Sequence, residues 1–376
     1  MSSASCAPSP GRRSRWARRE DSTMRIVAAM SGGVDSSVAA ALLAEAGHDV
    51  VGLSMQLYDQ RGGETRFGSC CTLDDLHDAR RVAALLDIPH YIMNFERQFD
   101  AHVVSNFVRD YMAARTPIPC VRCNGDLKFA TLLDRARGLD APTVATGHYA
   151  RVERSPDGSY LLKRGVDAAK DQSYFLFTLT QRQLACARFP LGALRKPEVR
   201  AYAEARRLPV ADKPDSHEIC FVPDGDYAEF VERRAPDAVT PGSIVDGAGR
   251  TLGSHDGVHR FTVGQRKGLG LSSHVPLYVT ALDAASGRVT VGPRQALERS
   301  TLSASEVNWI AGAPPAGPCR VTARIRHRHP EAAAVVTPLE KDAAQVVFDT
   351  PQAAVAPGQA VVFYQGDAVL GGGWID

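Results

Sequence analysis

The most constraining feature of this chain is a short polar turn between an apolar strand and a helix. Residues 25–30 read Arg-Ile-Val-Ala-Ala-Met, and residues 31–37 continue as Ser-Gly-Gly-Val-Asp-Ser-Ser. This pattern predicts a strand, a glycine-rich turn and a helix that opens at Ser36 and ends at Gly47. Glycines let a backbone approach a phosphate closely, and the N–H groups of a helix start point toward negative charge. The sequence therefore predicts an anion-binding turn.

The kind of phosphate site can be narrowed from the same residues. A Walker loop ends in Gly-Lys-Ser or Gly-Lys-Thr, and no lysine falls inside this turn. The turn resembles the Ser-Gly-Gly-x-Asp-Ser signature of PP-loop ATP pyrophosphatases, which cleave ATP between its α and β phosphates. Ser31, Ser36 and Ser37 would add hydroxyl donors. The alternative is an ordinary serine-rich turn between a strand and a helix.

Whole-chain composition excludes several classes of protein. The 376 residues suggest two or three domains, and 44 basic against 42 acidic side chains give a net charge of +2, so any basic surface must be local. No apolar run approaches the length of a membrane span, and we expect no membrane association. Eight cysteines in so long a chain do not make a disulfide scaffold, which favours a reducing cytoplasm.

Residues 1–23 differ in composition from the remainder. They combine arginines with serines and prolines and lack the hydrophobic core of a secretory signal. A mitochondrial transit peptide would suit this composition, but Glu20 and Asp21 count against it. We expect a disordered N-terminal extension, or an upstream start placed before the natural Met24.

Strand patterns alternate with helical patterns from residue 24 to about residue 208. Strands are predicted at residues 49–55, 90–95 and 142–147, and helices at residues 73–87, 99–113, 181–188 and 196–207. Strands separated by helices indicate an α/β domain with a doubly wound parallel sheet, assigned here to residues 24–215. Ligands bind beyond the carboxyl ends of such strands, where residues 31–37, Met55 and Gly147 would converge.

The chain becomes glycine-rich from about residue 241, and its apolar runs become short. Strands are predicted at residues 259–263, 277–281, 288–292, 321–325, 332–336, 345–348 and 360–364. Turn residues interrupt these runs at strand-length spacing, which favours a small β-barrel. We therefore expect a small central β-rich domain over residues 216–295 and a C-terminal β-barrel over residues 296–376.

Two cysteines stand in settings that favour chemistry. Cys123 follows a proline-stiffened loop, just before a helix predicted to begin near Asp126, and the neighbouring Arg122 would lower the pKa of its thiol. Cys220 lies in a polar loop beside His217, where a thiol ionises more easily. The alternative for Cys220 is an inert, packed cysteine.

A metal site is the main alternative for Cys123, because Cys120 and Cys123 form a Cys-x-x-Cys pair. A structural zinc normally takes four ligands from paired knuckles, and the sequence has no second Cys-x-x-Cys. An iron–sulfur cluster needs three or four cysteines, a set that Cys70 and Cys71 could complete. We otherwise expect structural roles for Cys70 and Cys71 and no metal-ligating residues.

Several blocks follow one another in an order that resembles a known family. They are residues 31–37, 72–81, 123–124, 146–150 (Thr-Gly-His-Tyr-Ala), 170–176 (Lys-Asp-Gln-Ser-Tyr-Phe-Leu), 218–221 (Glu-Ile-Cys-Phe) and 264–270 (Gly-Gln-Arg-Lys-Gly-Leu-Gly). From about Met24 to the C-terminus, the chain is similar to the tRNA-specific 2-thiouridylase family of the PP-loop ATP pyrophosphatase superfamily.

The resemblance implies an ATP-dependent sulfur transfer to tRNA. The residues that would hold ATP are Ala29, Met30, Ser31, Gly32, Gly33, Val34, Asp35, Ser36, Met55 and Gly147. Mg²⁺ would accompany the nucleotide and neutralise the leaving pyrophosphate, without a protein site of its own. The O2 atom of the wobble uridine would become adenylated, and sulfur would replace it, giving 2-thiouridine, AMP and pyrophosphate.

The resemblance also implies roles for the two cysteines. Cys220 would carry a persulfide loaded by a sulfur-carrier protein, and Cys123 would be the nucleophile. A Cys123–Cys220 disulfide would result and would have to be reduced before the next turnover. The two positions lie far apart in the sequence, so folding must bring them together.

The tRNA contacts that the resemblance implies are Ile118, Pro119, Cys120, His148, Lys170, Asp171, Gln172, Arg326, His327 and Gln359. The chain departs from the family pattern twice: a tyrosine is usual where His327 stands, and many members read Asn-Pro-Asp at residues 118–120. Strand alternation would put Arg324, Arg326 and Arg328 on one phosphate-binding face. The tRNAs for Lys, Glu and Gln would be substrates of an enzyme expected to be monomeric.

Three other interpretations stay open at this point. One is a PP-loop ligase, such as an amidotransferase or an argininosuccinate synthetase, which needs no paired thiols. Another is a tRNA 2-thiocytidine-type sulfurtransferase with an iron–sulfur cluster. The third is an RNA-binding protein with a degenerate nucleotide site, against which the intact turn at residues 31–37 counts.

Overall fold

A computed structural model describes residues 23–58, 72–215, 219–222 and 225–376. Across these ranges, a parallel sheet flanked by helices is followed by a small central sheet and a C-terminal β-barrel. This architecture confirms the predicted fold class. The predictions for residues 1–22 and for Cys70 and Cys71 lie outside the described residues.

The strands, in chain order, are β1 (Arg25–Ala29), β2 (Asp49–Gln56), β3 (His90–Asn94), β4 (Thr143–Ala145), β5 (Ala150–Arg154), β6 (Tyr160–Arg164), β7 (Ala187–Arg188), β8 (Gly242–Asp246), β9 (Thr251–His255), β10 (Tyr278–Asp283), β11 (Arg288–Gly292), β12 (Glu298–Trp309), β13 (Cys319–Arg324), β14 (Ala332–Leu339), β15 (Ala343–Ala353), β16 (Ala360–Gln365) and β17 (Ala368–Ile375). The α-helices are α1 (Val34–Glu45), α2 (Leu73–Leu85), α3 (Glu96–Phe99), α4 (Ser105–Met112), α5 (Pro119–Arg122), α6 (Ala130–Arg137), α7 (Gln181–Cys186), α8 (Lys196–Ala205) and α9 (Tyr227–Arg234). π-Helical turns at Asp100–Val104 and Cys123–Phe129 join α3 to α4 and α5 to α6.

The N-terminal sheet has the strand order β3-β2-β1-β4-β7, and its neighbouring strands are parallel. Its central strand β1 is buried on both faces, which is why its sequence reads as a continuous apolar run. The carboxyl ends of β1, β2 and β4 therefore open on one edge of the sheet. This edge carries the turn at residues 31–37.

Helix α1 begins two residues earlier than predicted, at Val34 instead of Ser36. Gly33 is its N-cap, in an extended conformation, and the Ser37 N–H donates to the Gly33 carbonyl at 3.2 Å. Val34 and Asp35 were therefore misread as turn residues, because Ser-Ser resembles a capping position.

The helix that carries Cys123 also begins earlier than predicted. Pro119 occupies its first turn, where a missing N–H has no consequence. The chain then stays helical through the π-turn and α6 as far as Arg137. The prediction of a helix start near Asp126 was wrong, and Cys123 lies inside the helical segment.

Three further sequence predictions need correction. Residues 259–263 are not a strand, because Val258–Arg260 form a 3₁₀ turn in which the buried His259 contacts Glu232 at 2.9 Å. The helix predicted at 181–188 ends at Cys186, and its last two residues form β7. Strand β13 ends at Arg324, so Arg326 and Arg328 lie in a turn and do not share a strand face with Arg324.

The C-terminal barrel joins β12, β15, β14, β13, β16 and β17, and pairing of β17 with β12 closes it. The stacked rings of Trp309 and Phe363, 5.8 Å apart, lie in its core. Through the pair Ala368 and Lys163, the hairpin β5–β6 of the N-terminal region extends the barrel sheet. The barrel and the N-terminal region therefore share one hydrogen-bonded sheet.

The central sheet has the order β10-β11-β8-β9, with β11 and β8 parallel. Its core contains the fully buried Val279, Val289 and Val291. Across the described ranges, no helix combines the length and the apolar character needed to cross a bilayer.

Candidate active site

The first turn of α1 forms one wall of the predicted nucleotide site. Gly33 is the N-cap and has no side chain that could accept a hydrogen bond from the first N–H groups of the helix. The Ser36 hydroxyl accepts from the Ser31 N–H at 3.1 Å and contacts the Gly33 carbonyl at 3.1 Å. Ser37 donates to the same carbonyl at 2.9 Å. Ser36 and Ser37 thus shape the loop from inside, whereas Ser31 is exposed.

Two glycines let neighbouring elements approach this loop. Gly32 has φ of +75°, and a Cβ there would collide with the carbonyl of Asp75 in α2. A Cβ on Gly147, just after β4, would lie 2.7 Å from the Ser36 nitrogen. The loop therefore packs backbone against backbone with α2 on one side and with the end of β4 on the other.

The apolar residues predicted to hold ATP support the loop from the core. Met30, Val34 and Met55 are buried, and Ala29 is half-buried at the end of β1. The Met30 N–H donates to the Leu53 carbonyl at 2.9 Å, and its carbonyl accepts from Ser54 at 2.6 Å. These bonds fix the exit of β1 against β2.

Asp35 is held from behind by two partners. Lys196, buried at the start of α8, donates to its two oxygens at 2.9 and 2.8 Å. The Tyr149 hydroxyl donates to the same carboxylate at 2.7 Å. Burial, reinforced by the Asp35 charge, raises the pKa of Tyr149, so this hydroxyl stays a donor. The Asp35 carboxylate therefore ties α1 to α8.

Asp215 continues this cluster of charges. Lys196 reaches it at 2.6 Å, Lys170 at 2.7 Å and Arg200 at 3.1 Å. Partial burial works to raise the pKa of Asp215, but the hydrogen bonds from Lys170 and Lys196 prevail and lower it to about 2. Asp215 is therefore ionised near neutral pH. It joins the Lys170 segment to the loop of residues 31–37, called the nucleotide loop below after its predicted role.

Lys213 makes a second link to the nucleotide loop. Its ammonium donates to the Gly32 carbonyl at 3.1 Å and to the carboxylates of Asp75 and Asp78 in α2 at 2.5 and 2.7 Å. Although burial works to lower the pKa of Lys213, these hydrogen bonds raise it. The lysine thus stays charged and fastens its own chain segment to the glycine of the loop.

Cys123 and Cys220 pack in one apolar cluster. Cys123 is 8% exposed, and its neighbours in the cluster include Phe99 and Phe107. Cys220 is half-buried against the same cluster. Phe221, the next residue, inserts its ring edge-on against Phe99 at 5.6 Å and Phe107 at 5.1 Å. The fold therefore places two cysteines that are far apart in the sequence against the same apolar cluster. Residues 216–218 lie outside the described residues.

Arg122 fastens the Cys123 helix to the C-terminal barrel. Its guanidinium lies 4.3 Å from the centre of the Trp374 ring and 3.0 Å from the Glu306 carboxylate. On the other side, the Asn124 amide donates to the Phe175 carbonyl at 3.4 Å, and its buried oxygen has no partner. An unpaired buried amide oxygen is costly to the folded state.

The predicted RNA-facing residues near the nucleotide loop are held by internal bonds. His148 contacts the Thr146 hydroxyl at 2.7 Å, and burial, with a smaller contribution from Lys128, lowers its pKa to about 3. Asp171 is 4% exposed and accepts from the backbone of Gly165 and Ser173. Gln172 accepts from the Tyr149 N–H at 3.0 Å. Their contact with RNA remains a prediction.

The predicted RNA-facing residues of the barrel lie in and near the turn after β13. His327 is exposed, with its ring 4.5 Å from that of Phe175, and Arg326 is half-buried. Arg324 turns inward to Glu331 at 2.8 Å and to Asp171 at 3.7 Å. Because Arg324 is committed to these carboxylates, the predicted phosphate-binding face of three arginines was wrong.

The loop before Cys123 contacts the barrel through Gln359. The Gln359 amide donates to the Thr116 carbonyl at 3.0 Å, and the Thr116 N–H donates to the Pro357 carbonyl at 2.7 Å. Pro119 is buried, Ile118 is half-buried and Cys120 is exposed. Gln359 thus joins the barrel to the loop that contains residues 118–120, for which the family resemblance implies tRNA contacts.

Sequence reasoning missed the charged residues behind the loop, above all Lys196 and Asp215. Neither stands in a recognisable motif, and the only signal was that Lys213 and Asp215 lie in a polar stretch before Cys220. It also missed Arg122 as a contact of Trp374. In the part of the chain that the structure describes, no group of three or more His, Cys, Asp or Glu side chains could hold a metal ion.

Known families match this chain along nearly its whole length. A family model described as a tRNA methyl transferase HUP domain matches residues 24–224, and a PRC-barrel domain of the same name matches residues 228–293. An aminomethyltransferase β-barrel domain matches residues 299–375. The three matches follow one another in the order of the parallel sheet, the central sheet and the barrel.

Curated relatives carry a different description from these domain models. A protein of Geotalea uraniireducens named tRNA-specific 2-thiouridylase MnmA is 55% identical over 94% of this chain and 95% of its own length. Proteins of the same name from Geobacter metallireducens and Solibacter usitatus are each 53% identical, over 95% and 93% of this chain and 98% and 99% of their own lengths. With these matches over nearly its full length, the chain belongs to the tRNA-specific 2-thiouridylase family.

Proposed function

We propose that this protein is a tRNA 2-thiouridylase, a sulfurtransferase that uses ATP to replace the O2 atom of the wobble uridine by sulfur. The observation that carries the proposal is that Cys123 and Cys220 pack in one apolar cluster, which also contains Ala29 and Met55 near the carboxyl ends of β1 and β2. A PP-loop ligase has no need for two such thiols, whereas a sulfur transfer that ends in a disulfide requires them.

ATP fits the loop because the loop offers backbone donors and little steric obstruction. The first N–H groups of α1 attract phosphate, and a Cβ on Gly33 would meet only the Ser31 hydroxyl, at 3.7 Å. Mg²⁺ would arrive with the phosphates, since the Asp35 carboxylate is already bound to Lys196 and Tyr149. The ion would neutralise charge on the departing pyrophosphate.

The first chemical step adenylates the uridine. Its O2 attacks the α-phosphorus, the bond to the β-phosphate breaks, and pyrophosphate leaves. The C2 atom of the adenylated uridine is susceptible to a sulfur nucleophile, because AMP is a far better leaving group than hydroxide. The wobble base must leave its stack to reach this site, which is the usual solution when an enzyme modifies a base.

The second step transfers sulfur from a persulfide on Cys220. The Cys123 thiolate attacks the inner sulfur of Cys220, which forms the disulfide and releases hydrosulfide. Hydrosulfide then attacks C2 and expels AMP. The aromatic cluster around Phe99, Phe107 and Phe221 supports this step, since it limits water that would hydrolyse the adenylated base. A cellular dithiol reduces the disulfide afterwards.

The remaining features of the proposal concern partners and location. The partners are tRNA, for Lys, Glu and Gln by family likeness, and a protein that supplies the persulfide. We propose RNA contacts at residues 118–120, His148, residues 170–172, Arg326 with His327, and Gln359. Support comes from the exposed His327 ring on Phe175, which could stack a base. We propose a cytoplasmic monomer.

Nucleoside mass spectrometry of tRNA treated with the protein, ATP, Mg²⁺ and a persulfide donor tests the proposal. Wild type should form 2-thiouridine, and Cys123→Ser or Cys220→Ser should lose it while tRNA-dependent pyrophosphate release continues. Cys319→Ser, in β13 of the barrel, is the matched control and should behave as wild type. Continued thiolation by Cys220→Ser would refute the mechanism. An iron–sulfur absorbance band in anaerobically purified protein would instead support the 2-thiocytidine-type alternative.

A further inference from the structure

The chain segment that leads to Cys220 is attached to the nucleotide loop by two charged residues. Lys213 donates to the Gly32 carbonyl of the loop and to two carboxylates of α2. Asp215 contacts Lys196, which in turn holds Asp35 in the first turn of α1. Both attachments therefore end on residues that flank the predicted phosphates.

On the other side of Cys220 the attachment is apolar. Phe221 is buried among Phe99, Phe107 and Phe230, and the Val222 N–H closes a turn on the Ile219 carbonyl at 2.9 Å. The thiol of Cys220 is thus held between charged contacts to the nucleotide loop and an aromatic contact to the cluster that contains Cys123.

The length of chain between these attachments restricts where the sulfur can go. Asp215 and Cys220 are separated by so few residues that a fully extended chain would span at most about 18 Å between them. Loss of the charged contacts would remove the attachment of this segment to the loop, leave its apolar packing in place, and widen the volume available to the thiol. Sulfur transfer is sensitive to such freedom, since a misplacement of about 1 Å can slow a reaction about a hundredfold.

Asp215 also receives Lys170, a residue proposed to face RNA. Ionic contacts from the nucleotide side and from the RNA side therefore meet on one carboxylate just before the sulfur-carrying segment. A phosphate that binds Lys170 would remove one partner of Asp215. A nucleotide that shifts Asp35 would move Lys196, which is the partner that Asp35 and Asp215 share.

We propose that Lys213 and Asp215 are positioning residues that couple occupation of the nucleotide loop to the placement of Cys220 for sulfur transfer, an inference that rests on the proposed function. Neither side chain needs to touch the reacting atoms. Their contribution is to hold the persulfide close to the base once that base has been adenylated. Each adenylation is then followed by one sulfur transfer.

The test separates the two half-reactions in Asp215→Asn and Lys213→Met. Persulfide-loaded protein is mixed with ATP and tRNA, and pyrophosphate and 2-thiouridine are measured in a single turnover. Wild type should release about one pyrophosphate per 2-thiouridine formed. In the variants, pyrophosphate release should stay within about threefold of the wild-type rate, while 2-thiouridine formation falls by about tenfold or more. Asp215→Glu should recover most of the coupling, because it restores a carboxylate.

The matched control is Glu45→Gln, which breaks the exposed ion pair between Glu45 of α1 and Arg206 near the end of α8. It disturbs the same two helices without touching the loop, so its ratio of products should equal that of wild type. A parallel fall of both products in Asp215→Asn, at an unchanged ratio, would overturn the proposal. Absence of 2-thiouridine with wild type would refute the proposed function instead.

A second measurement needs no variant and covers the case in which the substitutions prevent folding. The rate at which iodoacetamide alkylates Cys220 is followed by peptide mass spectrometry, with and without a non-hydrolysable ATP analogue. The proposed coupling predicts a change of about threefold or more at Cys220 and none at Cys319. An equal rate at Cys220 in both conditions would contradict it.

Discussion

The absence of a side chain at Gly147 lets β4 end directly against the first turn of α1. The nearest atoms to a Cβ there would be backbone atoms of Asp35 and Ser36, which have no flexible end to move aside. At this scale, single atoms decide whether the N–H groups proposed to bind phosphate keep their positions. Polar side chains are equally sensitive to their surroundings, since desolvation lowers the pKa of the half-buried His148 to about 3.

Gly147→Ala is expected to disturb the nucleotide site. The methyl group would overlap the Ser36 nitrogen, so the variant should lose about 1–3 kcal/mol of stability and bind ATP more weakly, by about tenfold. Thermal unfolding and equilibrium binding of ATP measure the two effects. Gly317→Ala, where nothing lies within 4 Å of the new methyl, is the control. Equal ATP affinity in both variants would show that the close approach is irrelevant to binding.

His148 should make stability depend on pH. Its pKa is about 3 in the folded protein and 6.5 in the unfolded chain, so the unfolded chain binds more protons as the pH falls below 6.5. Stability from this group is complete above 6.5 and is lost progressively toward pH 3, by at most about 1.4 kcal/mol per pH unit. Urea unfolding at several pH values should give a shallower dependence for His148→Gln. Identical slopes would show that the histidine is not buried in neutral form.

At the scale of elements, helix α8 serves the site although it carries none of its recognised motifs. It begins with Lys196, whose ammonium bridges Asp35 of α1 and Asp215. Its last turn is joined to α1 again by the exposed pair of Arg206 and Glu45. The two ion pairs connect the same two structural elements but differ in burial. Variants of each pair therefore measure how burial changes the contribution of an ion pair to the free energy of unfolding.

Lys196→Met should destabilise the protein by about 3 kcal/mol, because it leaves two buried or half-buried carboxylates short of a partner. Arg206→Gln on the same helix should change stability by less than about 1 kcal/mol, since exposed pairs contribute little. Chemical denaturation with matched buffers measures both. Similar decreases in the free energy of unfolding for the two variants would contradict the prediction.

At the scale of the whole molecule, the C-terminal barrel is part of the site's support. It holds Arg122 against Trp374, receives Arg115 on the Ile375 carbonyl at 2.9 Å, and pairs through β17 with the hairpin β5–β6. The Cys123 helix therefore depends on the barrel for its position.

Unfolding of the barrel and of the helical region should consequently coincide. In a Trp16→Phe background, fluorescence reports on Trp309 and Trp374 in the barrel, while far-UV circular dichroism reports mainly on the helices. Urea transitions from the two signals should share one midpoint. In Arg122→Ala the two midpoints should differ, because the fluorescence transition of the barrel no longer coincides with the circular dichroism transition of the helices. Two separate midpoints in the parent protein would disprove this dependence.

Much of the architecture was predictable because it is local. The strand, glycine turn and helix at residues 25–45 follow from hydrophobic runs and glycines that lie within one segment, and the fold class follows from the alternation of such segments. Errors occurred where local rules compete, as at Ser36, which was predicted to open the helix although the helix begins at Val34. The strand predicted at residues 259–263 failed because His259 is buried against Glu232, a distant partner.

Local sequence patterns were enough to predict the strand, glycine turn and helix at residues 25–45, the succession of the three sheets and the two cysteines of interest. The folded chain was needed to show that Cys123 is buried within a helical segment and that Cys220 packs against the same apolar cluster. It was also needed to show that Lys196, Lys213 and Asp215 connect this region to the loop of residues 31–37. The physical reason is range. Helix and strand periodicity acts between near neighbours, whereas ion pairs and apolar contacts form between any residues that the folded chain brings within a few ångströms.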